Sequence, residues 1–205
     1  MHDVPPPPEF GQALPFGQVS PETLKLLALR RSSSPQTLAE PAPQGAELDE
    51  LLRLAARVPD HGKLSPWRFV IIRGEAKAEL AQRLETLAKE QPDPAKAAGV
   101  LFKLKTPPLC VAVISRVNEQ ASIPVWEQEL SAGAACMTLV IATTAMGYGA
   151  NWITDWYGFD PRSHALLGMT PGERVAGFVL IGTPAEAPLE RARPDMATLV
   201  SEWQA

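Results

Sequence analysis

Residues 130–154 read LSAGAACMTLVIATTAMGYGANWIT and carry no charge. A run of that length could cross a bilayer. However, it is rich in Ser, Ala, Gly and Thr, and Gly147-Tyr148-Gly149 interrupts it. Its flanks hold Glu127, Glu129 and Asp155 where a membrane span would carry basic anchors. The run therefore predicts a long helix over 125–146, halted by the glycines, and then a strand at ANWIT. A helix apolar on every side has to be buried, either in a core or against another subunit. No membrane partner is expected.

The other segments fit around that helix. Ser20-Pro21 is an N-cap followed by a first-turn proline, which predicts a helix over 21–31. Leu48, Leu51, Leu52 and Ala55 fall at i, i+3, i+4, i+7 and predict a helix over 47–57. WRFVII, PPLCVAVIS and RVAGFVLIG are apolar and β-branched, and read as strands. Helical composition spans 75–90 up to QPDP, a further short helix fits 95–105, and DPRSHALLG is a short capped helix closed by Gly168.

The chain has 205 residues, 45% hydrophobic and 20% charged, which suits one domain over 20–205 with a substantial core. A net charge of -4 without a Lys/Arg-rich block argues against a nucleic-acid partner. Residues 1–19, MHDVPPPPEFGQALPFGQV followed by Ser20, lack the basic and apolar regions of a signal peptide, so the protein is expected to be cytoplasmic. Their prolines favour an extended arm. It reads as a leader, with an arm wrapped around a partner subunit as the alternative. Cys110 and Cys136 lie in apolar runs and read as buried free thiols.

Four stretches carry chemistry. In LRRSSS, two guanidiniums followed by hydroxyls suit a phosphate, although cations also favour a helix C-terminus through the macrodipole alone. RVPDHGKLSPWRF, residues 57–69, puts Arg57, Asp60, His61, Lys63 and Arg68 between a helix and a strand, as if an anionic, flat ligand sat there. His61 has no second His or Cys at zinc-ligand spacing, His2 and His164 being remote, and no G-x-S-x-G elbow marks a hydrolase. AMGYGANW sets glycines between helix and strand, where backbone can approach a ligand closely. It is not a G-x-G-x-x-G dinucleotide turn. In IGTPAEAPLERARP, Arg191 and Arg193 could complete an anion site or simply be solvated.

Taken in order, Arg-Arg-Ser, PDHGKLSPWRF, WEQELSAGAACMTLVIATTAMGYGANW and a strand ending in IGTP resemble the nitroreductase family of flavoproteins over residues 24–194. The resemblance is to the compact branch in which R-x-P-D-H replaces Pro-Ser-x-x-Asn. It implies an α/β (α+β) three-layer sandwich, with a mostly antiparallel central sheet flanked by helices, in an intertwined homodimer with FMN at the interface. It further implies that Arg30, Arg31 and Ser32 hold the FMN phosphate and ribityl chain. Arg57 and His61 would reach FMN from the partner subunit, and Trp152, Ile153 and Thr154 would line the isoalloxazine. Ala142, Thr143, Thr144, Ala145, Met146 and Gly147 match the stretch assigned to NAD(P)H. Arg191 or Arg193 would take a phosphate-contacting place near the C-terminus.

One departure stands out. The branch often has Arg where this chain has Ile153, so one cation is missing, and Arg191 or Arg193 is the candidate replacement. The expected activity is ping-pong transfer of hydride from NADH or NADPH to flavin N5, and from N5 to a nitroaromatic, a quinone or a related small-molecule acceptor. The same scaffold hosts dehalogenation and enone or amide dehydrogenation, and fold resemblance does not choose among them. An FMN carrier without turnover is the non-enzyme alternative. QPDPAKAAGVLFK is a candidate lid.

Overall fold

A computed structural model describes residues 4–204. His2 of the N-terminal extension lies outside the described residues. A five-stranded, fully antiparallel sheet organises them, in the order β1-β5-β3-β2 with β4 also paired to β5. The strands are β1 (Leu38–Ala39), β2 (Trp67–Arg73), β3 (Leu109–Ser115), β4 (Gly149–Ile153) and β5 (Arg174–Pro184). β5 is central: its residues 178–181 pair with β3 and also with β4, which therefore lie on opposite edges of it.

All seven residues of β3 are buried, which explains its continuous apolar run. Its alternation feeds two cores. Leu109, Val111 and Val113 join Val179 and Ile181 of β5 under α2 (Ala46–Ala55) and α6 (Val125–Ala145). Cys110, Ala112 and Ile114 join Phe178 and Leu180 on the other face, under α3 (Gly74–Ala88), α4 (Pro94–Gly99), α5 (Phe102–Lys105) and α7 (Pro161–Leu166). The result is the three-layer arrangement implied by the resemblance. Cys110 and Cys136 are free and buried on opposite faces of the sheet, and burial pushes each thiol up to about 12.

The long helix runs as the charge-free stretch predicts, and Gly147 at φ 84 ends it in the left-handed region. Three expectations need correcting. α1 (Pro21–Leu29) stops two residues before Arg31, because Arg30 turns extended and Ser33 donates its N–H to the Ala150 carbonyl of β4. The single helix over 95–105 is two helices, α4 and α5, meeting at Val100 and Leu101. The leader is not wholly detached: Val4 packs against the α2/α6 core, and Arg53 Nη2 donates to the Pro5 carbonyl at 2.7 Å. Phe10 and Phe16 beyond it are fully exposed. Among the described residues no helix is long and apolar enough to cross a membrane.

Candidate functional site

The segment carrying Arg30, Arg31 and Ser32 is stitched to β4. Besides the Ser33 N–H bond to Ala150 at 3.0 Å, Asn151 Nδ2 donates back to the Ser33 carbonyl. This close approach requires Gly149, since a Cβ there would stand 2.6 Å from Ser33 Oγ and 2.7 Å from Leu38 Cδ2. On this fixed backbone Arg30 Nε is buried and has no hydrogen-bond partner among the described residues. Ser32 is half-buried. Arg31 is already engaged: its Nε donates to the Leu189 carbonyl at 2.9 Å, with the Glu190 carboxylate at 3.6 Å.

Further along β4 the side chains alternate between faces. The Trp152 indole lies over Gly177 of β5, where a Cβ would come within 1.9 Å of Nε1, and it donates to the Ala176 carbonyl at 3.2 Å. It remains 39% exposed, an open aromatic wall. Ile153 turns to the opposite face and packs on the α3/α4/α7 core. An arginine at that position would have to leave this apolar contact to reach the Trp152 face. Thr154 is exposed. Asp155 next to it pairs with Lys103 at 2.9 Å and caps the turn Trp156–Gly158.

The stretch 57–69 divides into two groups of side chains. Asp60 turns inward: Oδ1 accepts from the Leu64 N–H at 3.0 Å and Oδ2 from the Ser65 N–H at 2.9 Å. Arg68 lies in β2 and forks onto Glu173, with both nitrogens at 2.7 Å, and also donates to the Gly168 carbonyl. The Arg68 guanidinium holds the Glu173 carboxyl down at about 2, against the opposing effect of burial. Arg57, His61 and Lys63 remain exposed. The loop beneath them is fixed to the start of α6. Ser131 Oγ donates to the Pro59 carbonyl at 2.7 Å and accepts from Trp67 Nε1 at 3.1 Å. His61 Nδ1 lies 2.8 Å from Glu127 Oε2.

Arg30 lines a groove of about 470 Å³ between α1 and the end of α6, together with Glu22, Lys25, Leu29, Thr144 and Ala145. Of the stretch matched to NAD(P)H, Thr144, Ala145 and Gly147 reach the surface, while Ala142, Thr143 and Met146 are buried in the core. Glu127 and Thr144 are 17 residues apart on one helix, about 25 Å at 1.5 Å per residue. Within one chain, then, the cations of 30–31 and those of 57–63 address opposite ends of α6. The structure brings Arg30, Arg31 and Ser32 to the start of β4 at the C-terminal end of α6, and leaves Arg57 and His61 near its other end, towards which β4 runs back until Trp152 lies beside Gly133. Between these ends α6 exposes an apolar stripe: Trp126 and Leu130 are about 60% exposed, and Gly133, Ala134, Met137 and Ile141 are half-buried.

The family profile described as Nitroreductase family matches residues 27–183. The chain belongs to the nitroreductase family. It is 36% identical over 167 residues to YdjA of Escherichia coli K12, named as a candidate NAD(P)H nitroreductase, covering 80% of this chain and 88% of that protein. A nitroreductase-like family protein from Bacillus cereus superposes with a TM-score of 0.79 at 21% identity, over 92% of this chain and all of that one. A nitroreductase with bound FMN from Bacteroides fragilis superposes with a TM-score of 0.69 at 20% identity, over 90% of this chain and all of that one. These two likenesses show the fold.

Glu127, Ser131 and Gly177 are not marked in the sequence as members of the candidate site, and Gly149, expected in AMGYGANW to admit a ligand, instead admits Ser33 and Leu38. Glu127 and Ser131 are four residues apart and share one face of α6, a spacing that could have flagged them. The glycines give no signal alone, because what they touch comes from elsewhere in the chain.

Proposed function

We propose that this chain is an FMN-dependent oxidoreductase that works as a homodimer, drawing electrons from NADH or NADPH and delivering them to nitroaromatics, quinones or similar small electrophiles. The observation that carries the reading is the buried, unpartnered Nε of Arg30 beside Ser32, on backbone pressed against β4, in a chain of the nitroreductase family. A buried donor without an acceptor costs about 1–3 kcal/mol. An anionic ligand relieves that cost, and a phosphate suits two guanidiniums and a hydroxyl. Arg30, Arg31 and Ser32 would hold the FMN phosphate and ribityl chain, Trp152 and Thr154 would line the ring, and Ile153, whose side chain turns to the opposite core, would contribute its backbone alone. The partner subunit's Arg57 and the partner subunit's His61 would close the site. The 25 Å offset along α6 and its exposed apolar stripe support that two-chain arrangement. The groove at Thr144 and Ala145 supports a place for part of the nicotinamide dinucleotide.

The name of the E. coli relative supports NAD(P)H as donor, and the bound FMN of the B. fragilis protein supports the cofactor. When bound, FMN supplies two-electron redox chemistry. The chain's own part is to bind, orient and stabilise charge. Arg30 and Arg31 would offset the negative charge of the cofactor, and the partner subunit's His61 would meet it through Nε2. Trp152 offers an aromatic wall. Ile153 supplies no cation, so the phosphate grip rests on the arginines of 30–31.

The test is an anaerobic visible spectrum of the purified protein before and after NADPH or NADH is added. A flavin band that bleaches quickly is expected, together with parallel initial-rate lines. A band that persists with both donors would make the protein a carrier. No band after adding FMN would overturn the reading.

A further inference from the structure

The structure assigns Glu127 as the positioning residue that sets the orientation and tautomer of His61; we infer this from the geometry around the loop, and it rests on the reading of His61 as a cofactor contact. His61 is about two-thirds exposed, so packing does not fix its ring. A single strong contact does: Nδ1 lies 2.8 Å from Glu127 Oε2. An ionised carboxylate only accepts, so Nδ1 carries a proton and Nε2 points away from α6 into solvent, where a second subunit would meet it.

Everything around the pair is built to keep it in register. Glu127 sits in the first turn of α6, one turn before Ser131, which holds the Pro59 carbonyl just before the histidine. Asp60 closes the loop just after Pro59 through Leu64 and Ser65. Gly62 takes φ 75 and lies under Ile123, whose Cγ1 would stand 3.2 Å from any Cβ placed there. The loop therefore has one course across α6, and the imidazole meets the carboxylate at the end of it. Arg57 and Lys63, on the same loop, are exposed with no equivalent partner among the described residues. Glu127 is spent on the histidine alone.

Without the carboxylate, the ring would rotate freely and its neutral form would revert to the Nε2–H tautomer that free imidazole prefers. Ordering it would then weigh on cofactor binding. Immobilising one such side chain corresponds to about a 3- to 10-fold change in affinity. Glu127→Gln keeps an acceptor within reach of Nδ1, so it should retain most of the affinity.

The experiment has two independent readouts. The first is ring ¹⁵N NMR of His61 in the full-length protein without added cofactor, at a pH where the ring is neutral. The Nδ1–H tautomer is expected in the parent and in Glu127→Gln, and the Nε2–H tautomer in Glu127→Ala. The same tautomer in all three would overturn the proposal, whatever the cofactor. The second is FMN affinity by fluorescence quenching. Glu127→Ala and His61→Ala should each weaken binding about 3- to 10-fold, and the double variant no further, since each removes the same oriented ring. Additive losses, or a Glu127→Ala protein that binds as the parent does while His61→Ala is weakened, would also overturn it. If His61→Ala itself binds normally, it is the cofactor role of His61 that fails, and the NMR result still decides the positioning.

Discussion

The loop 57–66 and the tail 189–193 both carry cations that the family resemblance directs at the cofactor, and the chain holds them in opposite ways. The loop is clamped from beneath by Ser131, Glu127 and Asp60 through bonds of 2.7–3.0 Å, and the strand that follows is anchored by the Arg68–Glu173 fork. The tail has no buried residue from Leu189 to Arg193. It is held by the Leu189 carbonyl, which accepts from Arg31 Nε at 2.9 Å, and by Glu190, an exposed carboxylate that faces Arg31 at 3.6 Å and Arg193 at 3.1 Å. The backbone N–H of Arg191, ahead of these cations, lowers the Glu190 carboxyl. The difference is one of preorganisation: a cation on a clamped loop is already ordered when a ligand arrives, whereas a cation on an exposed tail has to be ordered by it.

Breaking the strongest clamp should have the largest effect. Glu173→Gln removes the charge facing Arg68 in a site where the Glu173 side chain is 8% exposed. Gln keeps one hydrogen bond, so the expected loss is at the low end for a buried pair, about 3 kcal/mol by urea unfolding at pH 7. The pH dependence has a definite sign. Folding depresses the Glu173 carboxyl from 4.5 to about 2, so its stabilisation is complete above 4.5 and is lost as pH falls toward 2. The variant should lose stability less steeply across that window. An equally steep acid limb in the variant would mean that the fork does not anchor β2.

Asp60→Ala tests the loop itself. It frees the N–H groups of Leu64 and Ser65. The expected cost is about 1–2 kcal/mol by the same unfolding measurement, close to that of losing a helix cap. FMN affinity should fall with it, because in the proposed dimer the loop presents His61 to the other subunit's cofactor. Affinity unchanged in a destabilised variant would show that loop order and cofactor binding are separate.

How far this contrast can be read in the sequence depends on where each partner sits. The long helix is legible because its signals are local: an uncharged run and a terminating Gly147. β3 and β5 are legible as apolar runs because both of their faces are buried. β1 is not, since Leu38 and Ala39 become a strand only through pairing with Pro184 and Thr183. In the site, Arg30, Arg31 and Ser32 are marked by residue type alone. Asp60 and Arg68 look like two more members of the group at 57–69, and only the fold turns them inward. The partner of Arg68 is 105 residues away. The segment 91–103 reads as a candidate lid, and its Gln91–Asp160, Trp156–Ala97 and Lys103–Asp155 contacts, each with a residue more than 50 positions away, are not legible in the sequence.

The tail should show the smallest effect. Arg191 and Arg193 are both exposed, and Arg193 is paired with Glu190. Exposed pairs contribute little and are screened by salt. Arg191→Ala combined with Arg193→Ala should therefore leave the melting temperature unchanged and weaken FMN binding by less than about threefold. Arg30→Met is the reference: it removes a buried donor that has no partner among the described residues, and a charged hydrogen bond there corresponds to about a 10- to 100-fold loss of affinity. The alternative role for the tail, as the replacement for the cation missing at Ile153, predicts the reverse order. Should the tail variant lose as much affinity as Arg30→Met, the tail is ordered by the cofactor, and Glu190 in this structure occupies Arg31 only until a phosphate displaces it. That outcome would break the contrast, because an exposed segment would then be holding the ligand as firmly as a clamped one.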